Sequence, residues 1–265
     1  MKNKILKNLF VGLVFIFLYL PIIILVVYSF NSSEMNIVFE NFTFDWYKTL
    51  FQNTNLINAF VNTLIVALVS TVISTIIGTI SAVGLHKYNF PFKNLINKLI
   101  YIPIVIPEIV LGISLLSIYT LMKLELGLFT IILSHIAFSI PYVIVSVRST
   151  LSSLAPNYEE AAHDLGANTL KTFWHITLPL IKPGVVSGAT LAFTLSLDDV
   201  VISYFTAGPG SNTLPLHIYS IIKTGITPDV NALSTLILLT IIIILTSSVI
   251  IQSRKIVGEY RRKKY

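Results

Sequence analysis

The chain has 265 residues, 54% hydrophobic and only 11% charged, with a mean hydropathy of +0.82. That is too apolar for a soluble domain and places it among all-α, polytopic membrane proteins. It has no cysteine, which excludes disulfides, thiolate metal sites and cysteine nucleophiles. A formal charge of +6 would suit nucleic acid in a soluble protein, but in so oily a chain the excess of Lys and Arg reads as membrane topology, and no nucleic-acid partner is expected.

In chain order, Lys2, Lys4 and Lys7 precede an apolar run from Leu9 to Phe30, long enough to cross a hydrocarbon core of about 30 Å. The run ends Val27-Tyr28-Ser29-Phe30 rather than in small residues fit for cleavage, so a retained first span is expected rather than a signal peptide. Residues 31–58 are polar and aromatic, and Phe44-Asp45-Trp46-Tyr47 opens an amphipathic helix at the interface, where Trp and Tyr prefer to sit. A second span is predicted from Ala59 to Leu85, rich in the small residues that let membrane helices approach. A third, Leu99 to Met122, is broken by Pro103 and Pro107. The fourth covers Leu128 to Val147, the fifth Val185 to Phe205 and the sixth Ala232 to Ile251, giving six transmembrane helices in a single domain, 1–265.

The stretch 156–184, PNYEEAAHDLGANTLKTFWHITLPLIKPG, is the long polar passage in this oily second half. It reads as two short helices. Asn157 is placed to cap the first, with Glu160 completing a capping box, and Gly166 or Asn168 breaks the chain before the second. Ala161 and Ala162 offer small side chains to another surface. With the amino terminus inside, fifteen of the 18 basic residues fall in segments expected to be cytoplasmic, this one included. Only Lys48, Lys123 and Lys223 fall outside.

No Gly-rich loop ending in Gly-Lys-Ser/Thr is present, so the chain is not expected to hydrolyse a nucleotide or to be an enzyme. The five histidines are scattered; His163-Asp164 are neighbours that point apart on a helix, and no metal site is expected. His135 and Pro141 read as a hydrogen-bonded packing residue and a kink. The informative chemistry is acidic. Glu108, Asp198 and Asp199 lie inside spans that contain no Lys or Arg, and charges at such depth ordinarily face a cavity, a partner or a pathway. Counting along straight helices puts Glu108 about 15 Å from Lys98, near mid-bilayer, and Asp198 about 24 Å from Lys182, in the outer half. A solute cation is the natural counter-charge. Adjacent on a helix, Asp198 and Asp199 cannot both face a lumen, so one is expected to line the pathway and the other to pack. Tyr204 and Tyr219 stand near the outer end as aromatic partners for a cation or as interface anchors.

Glu160-Ala161-Ala162, Gly166, Ile176 and Leu178-Pro179 together resemble the EAA-x3-G-x9-I-x-LP signature of permease subunits of ATP-binding-cassette (ABC) importers. From Phe42 onward the chain is similar to the second permease subunit of polyamine (spermidine/putrescine) importers, above all in Ser196-Leu197-Asp198-Asp199-Val200-Val201, Gly208-Pro209 and Leu214-Pro215-Leu216. The resemblance implies a type I ABC importer permease fold in a bacterial inner (plasma) membrane, multi-pass, with both termini cytoplasmic and lipid around the spans. It implies that 156–184 is a coupling loop docked on a separate ATPase subunit, which binds the ATP and Mg, so that this chain needs no cofactor. It also implies a second, similar permease subunit, and an extracytoplasmic solute-binding protein meeting residues 31–58 and 207–231. Permeases for ferric iron, sulfate, molybdate or phosphonate share the coupling loop. A proton-coupled secondary transporter and a purely structural membrane partner also stay open.

Overall fold

The computed structural model describes residues 2–34, 38–154, 157–222 and 227–262. They form helices: α1 (Lys2–Tyr28), α2 (Asp45–Gln52), α3 (Thr54–Lys87), α4 (Lys93–Leu99), α5 (Ile102–Val105), α6 (Glu108–Leu121), α7 (Leu128–Ser152), α8 (Asn157–Asp164), α9 (Thr169–Thr172), α10 (Leu178–Leu197), α11 (Val201–Thr206), α12 (Leu214–Ile221) and α13 (Pro228–Arg262). A π-helical turn, Phe173–Thr177, joins α9 to α10. Pro156, Lys223, the side chain of Asn157 and the side chains of the basic tail from Arg254 lie outside the described residues.

Among the described residues four helices are long and apolar enough to cross a membrane, namely Leu6–Tyr28, Thr54–Lys87, Leu128–Ser152 and Thr169–Leu197. The expected third span is two pieces, Lys93–Val105 and Glu108–Leu121, bent by 108° at their break. Pro107 explains the fracture: it has no amide hydrogen to continue the helix and forces Ile106 out of the helical region, to φ −67°, ψ 136°. The lesser interruption between α4 and α5, at residues 100–101, comes just before Pro103, which sits in the first turn of α5, where a proline costs no hydrogen bond. The expected sixth span falls within α13, whose described apolar part, Pro228–Ile244, is shorter than the others. The expected fifth span does not run unbroken to Phe205, because α10 stops at Leu197 and α11 starts at Val201.

Two compact units make up the chain, one of residues 1–57 and 221–265, the other of residues 58–220. In the first, the apolar window of α1 has no buried residue, as suits a helix presented to lipid or to another chain. Below it Asn31 is fully buried and organises the following loop: its Nδ2 donates to the Val38 carbonyl (2.7 Å), its Oδ1 accepts from Glu40 N–H (2.9 Å), and its carbonyl accepts from Trp46 Nε1 (2.5 Å). Phe30, Phe42 and Phe44 cluster beside it with ring centroids 5.0–5.4 Å apart. The amphipathic helix expected near Trp46 is α2.

In the second unit α10 lies along α7, and Ala82, Leu85, Val143, Ile144, Val147, Leu151, Ile181 and Ala192 form the core. In lipid the hydrophobic drive between helices is weak, so close packing has to supply the attraction. Gly188 allows it. A Cβ there would lie 3.0 Å from the Val143 backbone, so the two helices approach to a distance that any larger residue would have to push apart.

Candidate functional site

Glu108 opens α6 just beyond the 108° break, and Asp198 is the residue on which α10 ends. Both line one cavity of about 280 Å³, with Asp199, Phe138, Tyr142 and Leu195 among its other walls and no basic side chain. The straight-helix count had put the two acids at different depths. The breaks between Lys98 and Glu108 invalidate the count for Glu108, while α10 runs unbroken from Lys182 to its end at Asp198, and the two acids share one cavity.

The two adjacent aspartates differ sharply. Asp198 is exposed, whereas Asp199 is only 9% exposed. Asp199 caps the first turn of α11, its Oδ1 accepting from Ile202 N–H (3.1 Å) and its Oδ2 from Ser203 N–H (2.7 Å). His135 Nε2 lies 3.3 Å from Asp199 Oδ2. Asp199 is therefore not bare as the sequence suggested: two backbone amides donate to it and His135 lies against it, which offsets the cost of burying it. His135 is fully buried, with Nδ1 2.6 Å from Ser196 Oγ and Nε2 3.2 Å from Ser203 Oγ, and Ser196 in turn meets Ser70 at 3.3 Å. It is the hydrogen-bonded packing residue expected, with a carboxylate partner that sequence spacing concealed. Tyr204 and Tyr219 form an edge-to-face pair at 6.5 Å, both exposed, and neither lines the acidic cavity.

The polar loop folds as the two short helices its sequence predicts. Gly166 adopts φ +81°, with Gly166 N–H donating to the His163 carbonyl (2.9 Å) and Ala167 N–H to Ala162 (3.0 Å), so α8 ends in a Schellman motif. Asn168 then caps α9 through Lys171 N–H (2.8 Å), so both candidate breakers act. Of the signature residues, Glu160, Ala161, Gly166 and Pro179 are exposed, Ile176 and Leu178 are half-buried, and Ala162 is buried. Leu165, Leu170 and Trp174, apolar yet 89%, 69% and 58% exposed, flank them as a face without cover in this chain.

What sequence reasoning missed here is Glu159. It receives the Lys87 ammonium at 2.7 Å and the Thr177 hydroxyl at 2.7 Å, so α8 is tied to the end of α3 and to the π-turn that leads into α10. Partial burial works to raise the Glu159 carboxyl, but the hydrogen bonds from Lys87 and Thr177 and the Lys87 charge outweigh it and hold the carboxyl below its ordinary value. A cavity of about 170 Å³ lies beside this junction, lined by Lys87, Glu159, Tyr158 and Ile176 among others. The one available signal was a Lys at a span end facing an acid in the loop, and many such pairs are possible.

The family profile described as "binding-protein-dependent transport system inner membrane component" matches residues 74–257. The chain is 39% identical over 251 residues to the spermidine/putrescine transport system permease protein PotC of Haemophilus influenzae, covering 94% of this chain and 98% of that one. It is 40% identical over 258 residues to PotC of Escherichia coli K12 (97% and 98% covered), and 41% identical over 231 residues to that organism's putrescine transport system permease protein PotI (84% and 82%). In fold it is similar to a chain of a bacterial ABC transporter that imports alginate, with a TM-score of 0.72 at 16% identity and 95% of each chain covered. A second alginate transporter structure, in complex with its pentasaccharide-bound periplasmic protein, gives a TM-score of 0.68 at 18% identity, with 92% and 93% covered.

Proposed function

The chain belongs to the family of binding-protein-dependent transport system inner membrane components, and from that premise we propose that it is one of two permease subunits of an ABC importer whose cargo is a polyamine. The observation that carries the cargo assignment is the meeting of Glu108 and Asp198 on one cavity with no basic side chain in its lining. A polyamine brings several spaced ammonium groups, and two carboxylates answer two of them. Each such contact in a partly screened setting is worth up to about 4 kcal/mol before desolvation. Phe138 and Tyr142 add aromatic faces that suit a cation. The same charges repel sulfate, molybdate and phosphonate. The curated relatives named for spermidine and putrescine, matched over nearly full length, support the same reading.

The energy comes from a separate ATPase subunit, which holds ATP and Mg. It grips the loop through Glu160, Ala161 and the turn at Gly166, while Ala162, expected from the sequence to face the partner, is buried within this chain and supports them from beneath, and Ile176, Leu178 and Pro179 set the exit into α10. Closure of the ATPase moves α8, and the Lys87–Glu159–Thr177 junction passes that motion to α3 and α10. A solute-binding protein delivers the cargo on the opposite side, near residues 31–58 and 207–231. Both termini and the coupling loop are cytoplasmic.

Uptake of labelled spermidine into vesicles holding this chain with its ATPase and sister permease tests the reading. Dependence on ATP and on the binding protein is expected, with KM raised about tenfold or more by Asp198→Asn. Uptake by this chain without any ATPase, as a secondary transporter would show, overturns it, as does a KM that neither Asp198→Asn nor Glu108→Gln moves.

A further inference from the structure

We infer that His135 is a positioning residue for cargo recognition, acting through Asp199 to fix the carboxylate of Asp198 in the cavity. The inference rests on the cargo reading above and adds to it a residue that does not line the cavity.

Three residues separate α10 from α11. A helix that stops at Leu197 and restarts at Val201 leaves Asp198 and Asp199 outside the regular ladder, which resumes where the Val200 carbonyl accepts from Tyr204 N–H (2.9 Å). Their placement depends on side-chain contacts, and Asp199 makes nearly all of them. Its two oxygens accept from Ile202 and Ser203 N–H, and Oδ2 also faces His135 Nε2 at 3.3 Å. An ionised carboxylate only accepts, so the proton on His135 sits on Nε2. Nδ1 pairs with Ser196 Oγ at 2.6 Å, which fixes the ring from its other side, and Ser203 Oγ lies 3.2 Å from Nε2. His135 thus bridges α7, the last turn of α10 and the first turn of α11.

This arrangement divides the work between neighbours. Asp199, 9% exposed and fully engaged, holds the break in shape. Asp198, one peptide away and exposed, keeps its carboxylate for the cavity it shares with Glu108. Loss of the His135 contact frees the break to rotate, and the carboxylate of Asp198 leaves the position that meets an ammonium group.

A double-mutant cycle on spermidine uptake, normalised to assembled complex, tests it. His135→Ala and Asp198→Asn are each expected to raise KM about tenfold, and together no more than the larger single effect, because both remove the same contact. A purely structural His135 would lower the maximal rate or the amount of complex and leave KM unmoved, and that result overturns the inference. So does a double variant in which the effects multiply to about a hundredfold. If His135→Ala fails to assemble, Ser196→Ala, which frees Nδ1, is expected to raise KM in the same direction and again without multiplying with Asp198→Asn; an unchanged KM refutes the inference. If Asp198→Asn leaves KM unchanged while Glu108→Gln raises it, this inference alone falls; if neither moves KM, the cargo reading itself has failed, which is a distinct outcome.

Discussion

Glu159 stands between two donors, Lys87 and Thr177, at a position about one third exposed. Its ion pair is therefore worth about 1 kcal/mol rather than the several of a dry pair. Because its carboxyl is held below the ordinary value, the contribution is fully present above the unfolded carboxylate pKa of about 4.3 and is lost as pH falls through the folded value. Thermal melts of wild type and Glu159→Gln should differ by a constant interval from neutral pH down to the ordinary carboxylate range and converge as the pH falls below it; an interval that grows on acidification refutes the assignment. Lys87→Met should lower ATP hydrolysis stimulated by cargo while leaving assembly intact, which separates transmission from docking. Gly166 belongs to the same scale. Open space surrounds its missing side chain, so the only objection to alanine is φ +81°. Gly166→Ala should cost about 1 kcal/mol of local stability and weaken ATPase binding, read as a higher ATPase concentration for half-maximal assembly.

Between elements, α10 meets the α7 backbone closely at Gly188. A β-carbon there meets the Val143 backbone, which cannot rotate away, so Gly188→Val should destabilise by about 1–3 kcal/mol, seen as earlier thermal unfolding. The helices themselves were legible in the sequence because a run such as Leu9 to Phe30 has no alternative in lipid, and the loop was legible because Gly166 and Asn168 speak locally. What spans sequence distance was not. Asp199 finds His135 from 64 positions away and Glu159 finds Lys87 from 72. Neither pairing follows from periodicity. The meeting of Glu108 with Asp198 depended on two breaks, and only the prolines announced one of them. The interruption at 198–200 carries neither Gly nor Pro, and is stabilised by the very carboxylate whose role it determines.

For the molecule as a whole, orientation is open to a direct test, since the chain has no cysteine of its own. Leu165→Cys, at an 89% exposed position, should react with an impermeant thiol reagent only from the cytoplasmic side, and Lys123→Cys only from the opposite side; the reverse pattern refutes the proposed topology. The break at the end of α10 has an electrical consequence for the whole translocation path. Peptide dipoles summed along twenty residues end in about half a negative elementary charge, located where Asp198 stands. This backbone field does not titrate and no side-chain substitution removes it. A variant carrying both Glu108→Gln and Asp198→Asn should therefore still favour cations over anions, weakly and with no dependence on pH, because the selectivity that survives belongs to the peptide groups.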